Sequence, residues 1–356
     1  MKTAVILFNL GGPQTLDDVK PFLFNLFKDK AILNVPALIR YPLAWCIASR
    51  REKEAKHIYA ALGGGSPLLA NTKAQAAALQ KELGADFKVF TVMRYWHPFA
   101  KDVAKDVTAY APDKIIYLPL YPQFSTTTTK SSFEDFDKKY FAIRSVPSAD
   151  GTTAQAKTAT PSISKICCYP TQAGLIKATA DLIRPIYEYL KTETGIPPRI
   201  LFSAHGLPEK TITAGDPYQE QVFATTKAVV DALNIPDLDY KNTFQSRVGP
   251  LKWIGPYTDA EIEIAGAERL PVMIVPIAFV SEHSETLFEI DLQYRALAIA
   301  KGAAGFARVP AVSTHPDFIH GLAELVHEAM IQNKKCTPSG GTKICPTECS
   351  KCPCRS

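Results

Sequence analysis

Long apolar runs are missing from this chain: nowhere do eighteen apolar residues follow one another, so no helix is expected to span a bilayer. Charge of one sign is missing too. The 40 basic residues stand against 35 acidic ones, a dispersed balance that argues against nucleic acid as the main partner and leaves an anionic substrate or a membrane surface open. The glycine stretches Gly63 to Pro67 (GGGSP) and Gly11 to Pro13 (GGP) have no Lys-Ser/Thr after them and no G-x-G-x-x-G spacing, which removes the usual nucleotide-phosphate loops. Tight glycine turns at strand ends still let backbone approach a flat ligand. A secretion signal is also not predicted. MKTAVILFNL opens with Lys2 and an apolar run, but Asn9 interrupts it and GGPQTLDD offers no small-residue cleavage site; the stretch is predicted to be the first strand.

What is present is a chain of 356 residues, 46% hydrophobic, long enough for two domains with a core each. Strand-length apolar runs alternate with Ala/Lys/Glu-rich stretches such as Asn71 to Leu83 and Ala173 to Lys191, which predicts parallel α/β architecture. The pattern echoes itself in order. ILFNLGGP (Ile6 to Pro13) answers ILFSAHGLP (Ile200 to Pro208), VFTVMRYWHP (Val89 to Pro98) answers NTFQSRVGP (Asn242 to Pro250), and IIYLPLYPQFSTTTT (Ile115 to Thr129) answers VMIVPIAFVSEHSET (Val272 to Thr286). Two similar domains are therefore expected at 1–170 and 171–310, followed by a helix at 311–335 packing back and a Cys-rich tail at 336–356. Ligands of open parallel sheets sit beyond the carboxyl ends of the strands, so the loops there are expected to pool into one cleft. The stretch from Ala142 to Lys165 is poor in large apolar residues and is predicted to be a surface insertion. Ala31 to Ser49 carries only Arg40 as a charge, and its prolines and asparagine predict no single continuous helix. It reads either as a buried segment or as an apolar lip.

Titratable groups crowd one strand end. After the buried-looking run Met273 to Val280 come Glu282, His283, Glu285, Glu289 and Asp291. Glu285 and Glu289, four apart where a helix should begin, project from one face and repel unless a cation or a shared proton lies between them; the alternative is a solvated helix face. His205 follows ILFSA on a tight loop. Its imidazole titrates near neutrality and can take a proton or ligate a metal, although a lone histidine is more often structural. Imidazole and carboxylate together suit a divalent first-row metal, iron included. Five of the eight cysteines fall in the last 21 residues. Cys345, Cys349, Cys352 and Cys354 have the crowded spacing of a metal site, for zinc or an iron-sulfur cluster, and Cys336, Cys167 and Cys168 are spare candidates.

Taken together, FNLGGP, GGGSPL, RYWHP, LYPQFSTTTT, LFSAHGLP, FQSRVGPLKWIGP and PIAFVSEHSETL resemble the ferrochelatase family over nearly everything before the tail. The resemblance implies two Rossmann-like domains with a porphyrin between them and insertion of ferrous iron into protoporphyrin IX to make haem. It implies His205 as the catalytic histidine, His283 and Glu285 as its active-site partners, and Glu289 as the next acid along, with His205 and Glu285 meeting the substrate iron. Leu10, Ser66, Arg94, Tyr95, Gln245 and Ser246 are implied as porphyrin contacts. Ile32 to Trp45 resembles the lip through which members touch the membrane, which implies a cytoplasmic protein in peripheral contact with the inner membrane; a monomer or a homodimer is expected. The tail resembles a group that binds a 2Fe-2S cluster in some members. Several of those supply one ligand from the region after YPQ, where this chain has Thr126. A coproporphyrin or cobalt chelatase and an iron-sulfur electron carrier are the alternatives.

Overall fold

The computed structural model describes residues 1–145, 160–332, 336–339 and 344–354. Most of the predicted insertion, 146–159, lies outside them. In chain order the elements are β1 (Thr3–Asn9), α1 (Val19–Phe27), α2 (Ala37–Ala61), α3 (Leu68–Leu83), β2 (Phe87–Met93), α4 (Ala100–Tyr110), β3 (Lys114–Pro119), α5 (Ser131–Arg144) and β4 (Ser162–Cys168). Then follow α6 (Ala173–Thr194), β5 (Arg199–His205), α7 (Glu209–Thr213), α8 (Tyr218–Leu233), β6 (Tyr240–Gln245), α9 (Thr258–Ala267), β7 (Val272–Pro276), α10 (Arg295–Ala300), β8 (Phe306–Arg308), α11 (Pro316–Ile331) and β9 (Cys336–Pro338). Two π-helical segments, Thr126–Lys130 and Glu285–Tyr294, follow β3 and β7.

The chain divides into two compact units, 1–168 with 322–341 and 169–321 with 342–356. The first boundary falls two residues from the expected one. In the C-terminal part the division falls inside α11, and β9, where the expected Cys-rich tail begins, is a strand of the first sheet that pairs in parallel with β4 (Lys165 to Cys336).

In the first unit the strand order is β2-β1-β3-β4-β9, and in the second β6-β5-β7-β8; every pairing in both is parallel. The three echoes thus fall on equivalent strands, β1 with β5, β2 with β6 and β3 with β7. Both central strands are apolar runs because helices cover both faces of a parallel sheet. All seven residues of β1 are buried, as are all five of β7. Helix α4 shows the complementary pattern, with Ala100, Val103, Ala104 and Val107 buried along one stripe. Each fully buried Ile, Leu or Phe contributes about 1.5–3 kcal/mol.

Two glycines of the first unit have a steric reason. A β-carbon on Gly65 would lie 2.2 Å from the Gln14 carbonyl oxygen, and one on Gly12 would lie 2.6 Å from the Ser66 side chain. The GGGSP and GGP loops therefore pack backbone to backbone, with Ser66 N–H donating to Pro13 C=O at 2.7 Å. Helix α2 begins only at Ala37, after Pro36, so Ala31 to Ser49 is not one continuous helix, as expected, although α2 itself runs unbroken through Pro42. Its first turns expose Leu38 (92%), Ile39, Tyr41 and Trp45 (60%). Among the described residues no helix is long and apolar enough to cross a membrane.

Candidate active site

His205 ends β5, Gln245 ends the adjacent β6, and the two are register partners. The π-helix Glu285–Tyr294 starts nine residues after β7. These three chain ends of the second unit meet. His205 Nδ1 lies 3.0 Å from Glu285 Oε2, and His283 Nε2 lies 3.7 Å from the same oxygen. His283 is buried, its ring 4.7 Å from that of Phe279, and its Nδ1 has no hydrogen-bond partner among the described residues.

The electrostatics of the pair follow from this geometry. Burial alone drives the proton off His205, but the Glu285 carboxylate, seconded by Glu289, outweighs it and raises the imidazole above its ordinary value. Burial pushes Glu285 up in turn, and His205 with His283 reverses this, holding the carboxyl well below the usual range. Each partner therefore favours the charged form of the other.

Glu289 is held differently. Its Oε1 accepts from Ser246 N–H (2.9 Å) and Tyr294 OH (3.0 Å), and its Oε2 accepts from Ser246 Oγ (2.5 Å) and Gln245 Nε2 (3.1 Å). Ser246 adopts a left-handed φ of 64°, a conformation costly for a residue with a β-carbon, and in doing so directs both its N–H and its hydroxyl at one carboxylate. Gln245 is 1% exposed. Its Oε1 accepts from Ser203 Oγ at 2.7 Å, Ser203 contacts Thr258 at 2.8 Å, and its Nε2 also donates to the Glu285 carbonyl at 3.2 Å. Gln245 and Ser246, expected as porphyrin contacts, both hold the acids in place. Each of the two glutamates thus has its own counter-groups.

Glu282 leaves the acid stripe altogether. Arg308 Nη1 (2.8 Å) and Ala311 N–H (2.9 Å) donate to its Oε1, and Thr286 Oγ1 donates to its Oε2 (2.5 Å). The sequence had no signal for Tyr294, Ser203 or Arg308. Tyr294 stands five residues after Glu289, a spacing that meets on a π-helix and not on the α-helix anticipated.

In the first unit, the porphyrin contacts expected from RYWHP prove to be engaged internally. Tyr95 is 1% exposed and packs with Val19, Phe22 and Phe27, and its hydroxyl donates to Asp29 Oδ2 at 2.8 Å. Arg94 Nη2 donates to the same oxygen at 2.7 Å and Ser131 Oγ at 2.6 Å. Desolvation raises the Asp29 carboxyl, and Arg94 with these hydroxyls more than offsets it, leaving it below the ordinary value. Tyr95 is thus a core residue, not a surface facing a ligand. Leu10 and Ser66 are half-buried; Leu10 packs against the same cluster, and Ser66 Oγ accepts from Leu68 N–H at the start of α3.

The tail residues Cys345, Cys349 and Cys352 are buried together, with Cys354 against them. Burial, then Cys345, raises the Cys349 thiol, so several thiolates in this spot require a cation to coexist. Gln221 Nε2 donates to Cys345 Sγ at 3.1 Å. A buried group of soft donors with an N–H aimed at one sulfur fits a thiolate-bound metal group. Cys167 and Cys168 are buried in β4, and Cys336 lies on β9, all in the first unit.

Comparison with known proteins places these features. The family model described as ferrochelatase matches residues 2–330. A curated ferrochelatase of Caulobacter vibrioides is 52% identical over 359 residues, spanning 99% of this chain and 98% of its own; that of Rickettsia felis is 45% identical over 361 residues, spanning 99% and 98%. Among solved structures, SirB from Bacillus subtilis with Fe3+ matches with a TM-score of 0.53 at 12% identity, over 92% of this chain and 96% of its own, a likeness of fold. Full-length identity at this level, with the His205–Glu285–His283 group in place, settles the assignment: the chain belongs to the ferrochelatase family.

Proposed function

We infer that this protein inserts ferrous iron into protoporphyrin IX, forming protohaem. The observation that carries the reading is the contact of His205 with Glu285, 3.0 Å apart beside His283, in a chain related to ferrochelatases over nearly its full length.

Free porphyrin holds two protons on its inner nitrogens. Iron entry must release both while four nitrogen lone pairs turn to the metal, so two protons leave for each Fe2+ that enters. Planarity hides those lone pairs, and a site complementary to a buckled macrocycle accelerates the step, offsetting a strain of about 1 to 5 kcal/mol with contacts at the rim. His205 in its neutral form accepts the pyrrole protons, and Glu285 stabilises the imidazolium that results. His283 orients Glu285. Glu289, saturated by four donors, is a positioning residue that fixes the β6 end against the π-helix. Leu10 and Ser66 are the first unit's proposed macrocycle contacts, and Arg94 acts through the loop that Asp29 holds.

We place a 2Fe-2S cluster on Cys345, Cys349, Cys352 and Cys354. When bound, such a group supplies a one-electron couple and links the tail's thiolates through metal. The exposed apolar turns of α2, with Lys20 5.2 Å from the Trp45 ring, support peripheral contact with a membrane surface, consistent with a cytoplasmic protein at the inner membrane. The test is an anaerobic assay with ferrous iron and protoporphyrin IX, run beside coproporphyrin and cobalt. Conversion of the free-porphyrin bands to those of protohaem is expected, with His205→Ala binding porphyrin but not metallating it. Faster turnover of coproporphyrin or of cobalt would overturn the substrate assignment.

A further inference from the structure

The tail is seated, not merely adjacent. Lys351 N–H donates to Gly215 C=O at 3.0 Å, and Ser350 Oγ lies 2.0 Å from where a β-carbon on Gly215 would stand. Gly215, at φ +93°, joins α7 to α8, so the cysteine group rests against the beginning of α8. From the first turn of that helix Gln221, fully buried, donates its Nε2–H to Cys345 Sγ at 3.1 Å. A thiol is a weak acceptor, whereas a thiolate makes a charge-assisted bond. A buried amide aimed at sulfur is therefore matched to an anionic sulfur.

We propose that Gln221 is a tuning residue of the tail's metal group: its side-chain N–H stabilises the Cys345 thiolate and raises the reduction potential of the cluster. The inference rests on the assignment of a 2Fe-2S cluster to the tail cysteines. One-electron reduction places extra negative charge on the cluster and its sulfurs, and a donor at sulfur stabilises the reduced form more than the oxidised one.

The experiment uses the full chain purified anaerobically, as wild type and as Gln221→Leu, with the visible spectrum followed during a dithionite titration monitored by electron paramagnetic resonance. Both proteins are expected to carry the chromophore, with the redox equilibrium of the variant shifted toward the oxidised form about tenfold, or about 59 mV lower for one electron. Gln221→Glu, which keeps the shape and replaces the donor by an acceptor, should shift at least as far in the same direction, and it serves as the measurement if the leucine variant does not fold. Equal potentials in wild type and variants overturn the proposal while leaving the cluster assignment standing. Loss of the chromophore from both variants at unchanged far-ultraviolet circular dichroism overturns it as well, since Gln221 would then retain the cluster rather than tune it. A wild type without an iron-sulfur chromophore overturns the inference together with the assignment beneath it.

Discussion

Replacing Glu285 by glutamine removes a charge and keeps the shape, so it isolates the electrostatic tie to His205. At 3.0 Å two unit charges interact by ~1.4 kcal/mol in a water-like medium and ~5.5 kcal/mol at an effective dielectric of 20. The His205 side chain is 37% exposed and that of Glu285 26%, and solvent screening pulls the effective figure toward the lower end. The variant should therefore titrate at a lower pH than the wild type. The sign is fixed by the remaining influences. With the carboxylate gone, burial is the main influence left on the imidazole besides Glu289, and it acts downward, so the neutral base persists to lower pH in the variant.

On the proposed mechanism, in which the neutral imidazole takes the pyrrole proton, the acid limb of the pH profile of kcat/KM should follow this titration. In the wild type the rate rises with pH through a value above the ordinary 6.5 of histidine; in Glu285→Gln the limb moves to lower pH while the plateau falls, since the imidazolium formed on proton uptake is no longer stabilised. Stability moves in linked fashion. A raised histidine pKa contributes stability that is complete below its unfolded value and lost as pH rises through the folded one, and a depressed Glu285 contributes stability that is lost as pH falls below about 4.5. The wild-type margin over the variant should therefore be largest between these limits. Nuclear magnetic resonance of the His205 ring reads the titration directly, and an unchanged midpoint in Glu285→Gln would refute the proposed coupling.

Arg308→Ala should lower stability by about 3 kcal/mol, because it strands the Glu282 carboxylate inside the protein; a fully stable Arg308→Ala protein that has lost turnover would return Glu282 to the reacting acids. Gly65→Ala should destabilise more than Gly64→Ala in urea titrations: the former drives a β-carbon into the Gln14 carbonyl, while the latter meets nothing within 4 Å and bears only the strain of φ +101°, about 1–3 kcal/mol. Equal losses would mean that the two loops do not pack as described. Leu38→Ser with Trp45→Ser should weaken co-sedimentation with anionic vesicles at unchanged Tm, and undiminished binding would move the membrane contact away from α2.

The fold was legible where buried strands end abruptly. Runs such as Ile200 to Ala204 and Val272 to Pro276 can only be covered on both faces, and their order repeats, so the doubling of the sheet could be read before any coordinate. Residues whose role depends on a distant partner were not legible. Nothing beside Glu282 in sequence announces Arg308, 26 residues on, and nothing beside Glu289 announces Ser246, 43 residues back. Tyr95 illustrates a second limit, since an aromatic next to an arginine reads alike whether it points inward or outward. Pro42 illustrates a third. It lies early in α2, where it forfeits one hydrogen bond, and packing of Ala44 and Ala48 in the first unit's core keeps the helix whole.

The three acids of SEHSETLFE, alike in sequence, are sorted by what faces them. Glu282 meets a guanidinium that never loses its proton, and Glu289 meets hydroxyl, amide and backbone donors that do not titrate near neutrality. Glu285 alone meets two imidazoles, and its carboxylate raises the pKa of one of them, His205. On the proposed mechanism, Glu285 is therefore the carboxylate coupled, through His205, to the protons that leave the porphyrin. The fixed surroundings of the other two keep the π-helix in place while that happens. A variant that loosens Glu289, such as Tyr294→Phe, should therefore reduce kcat by disturbing the His205–Glu285 distance without moving the pH at which the acid limb falls.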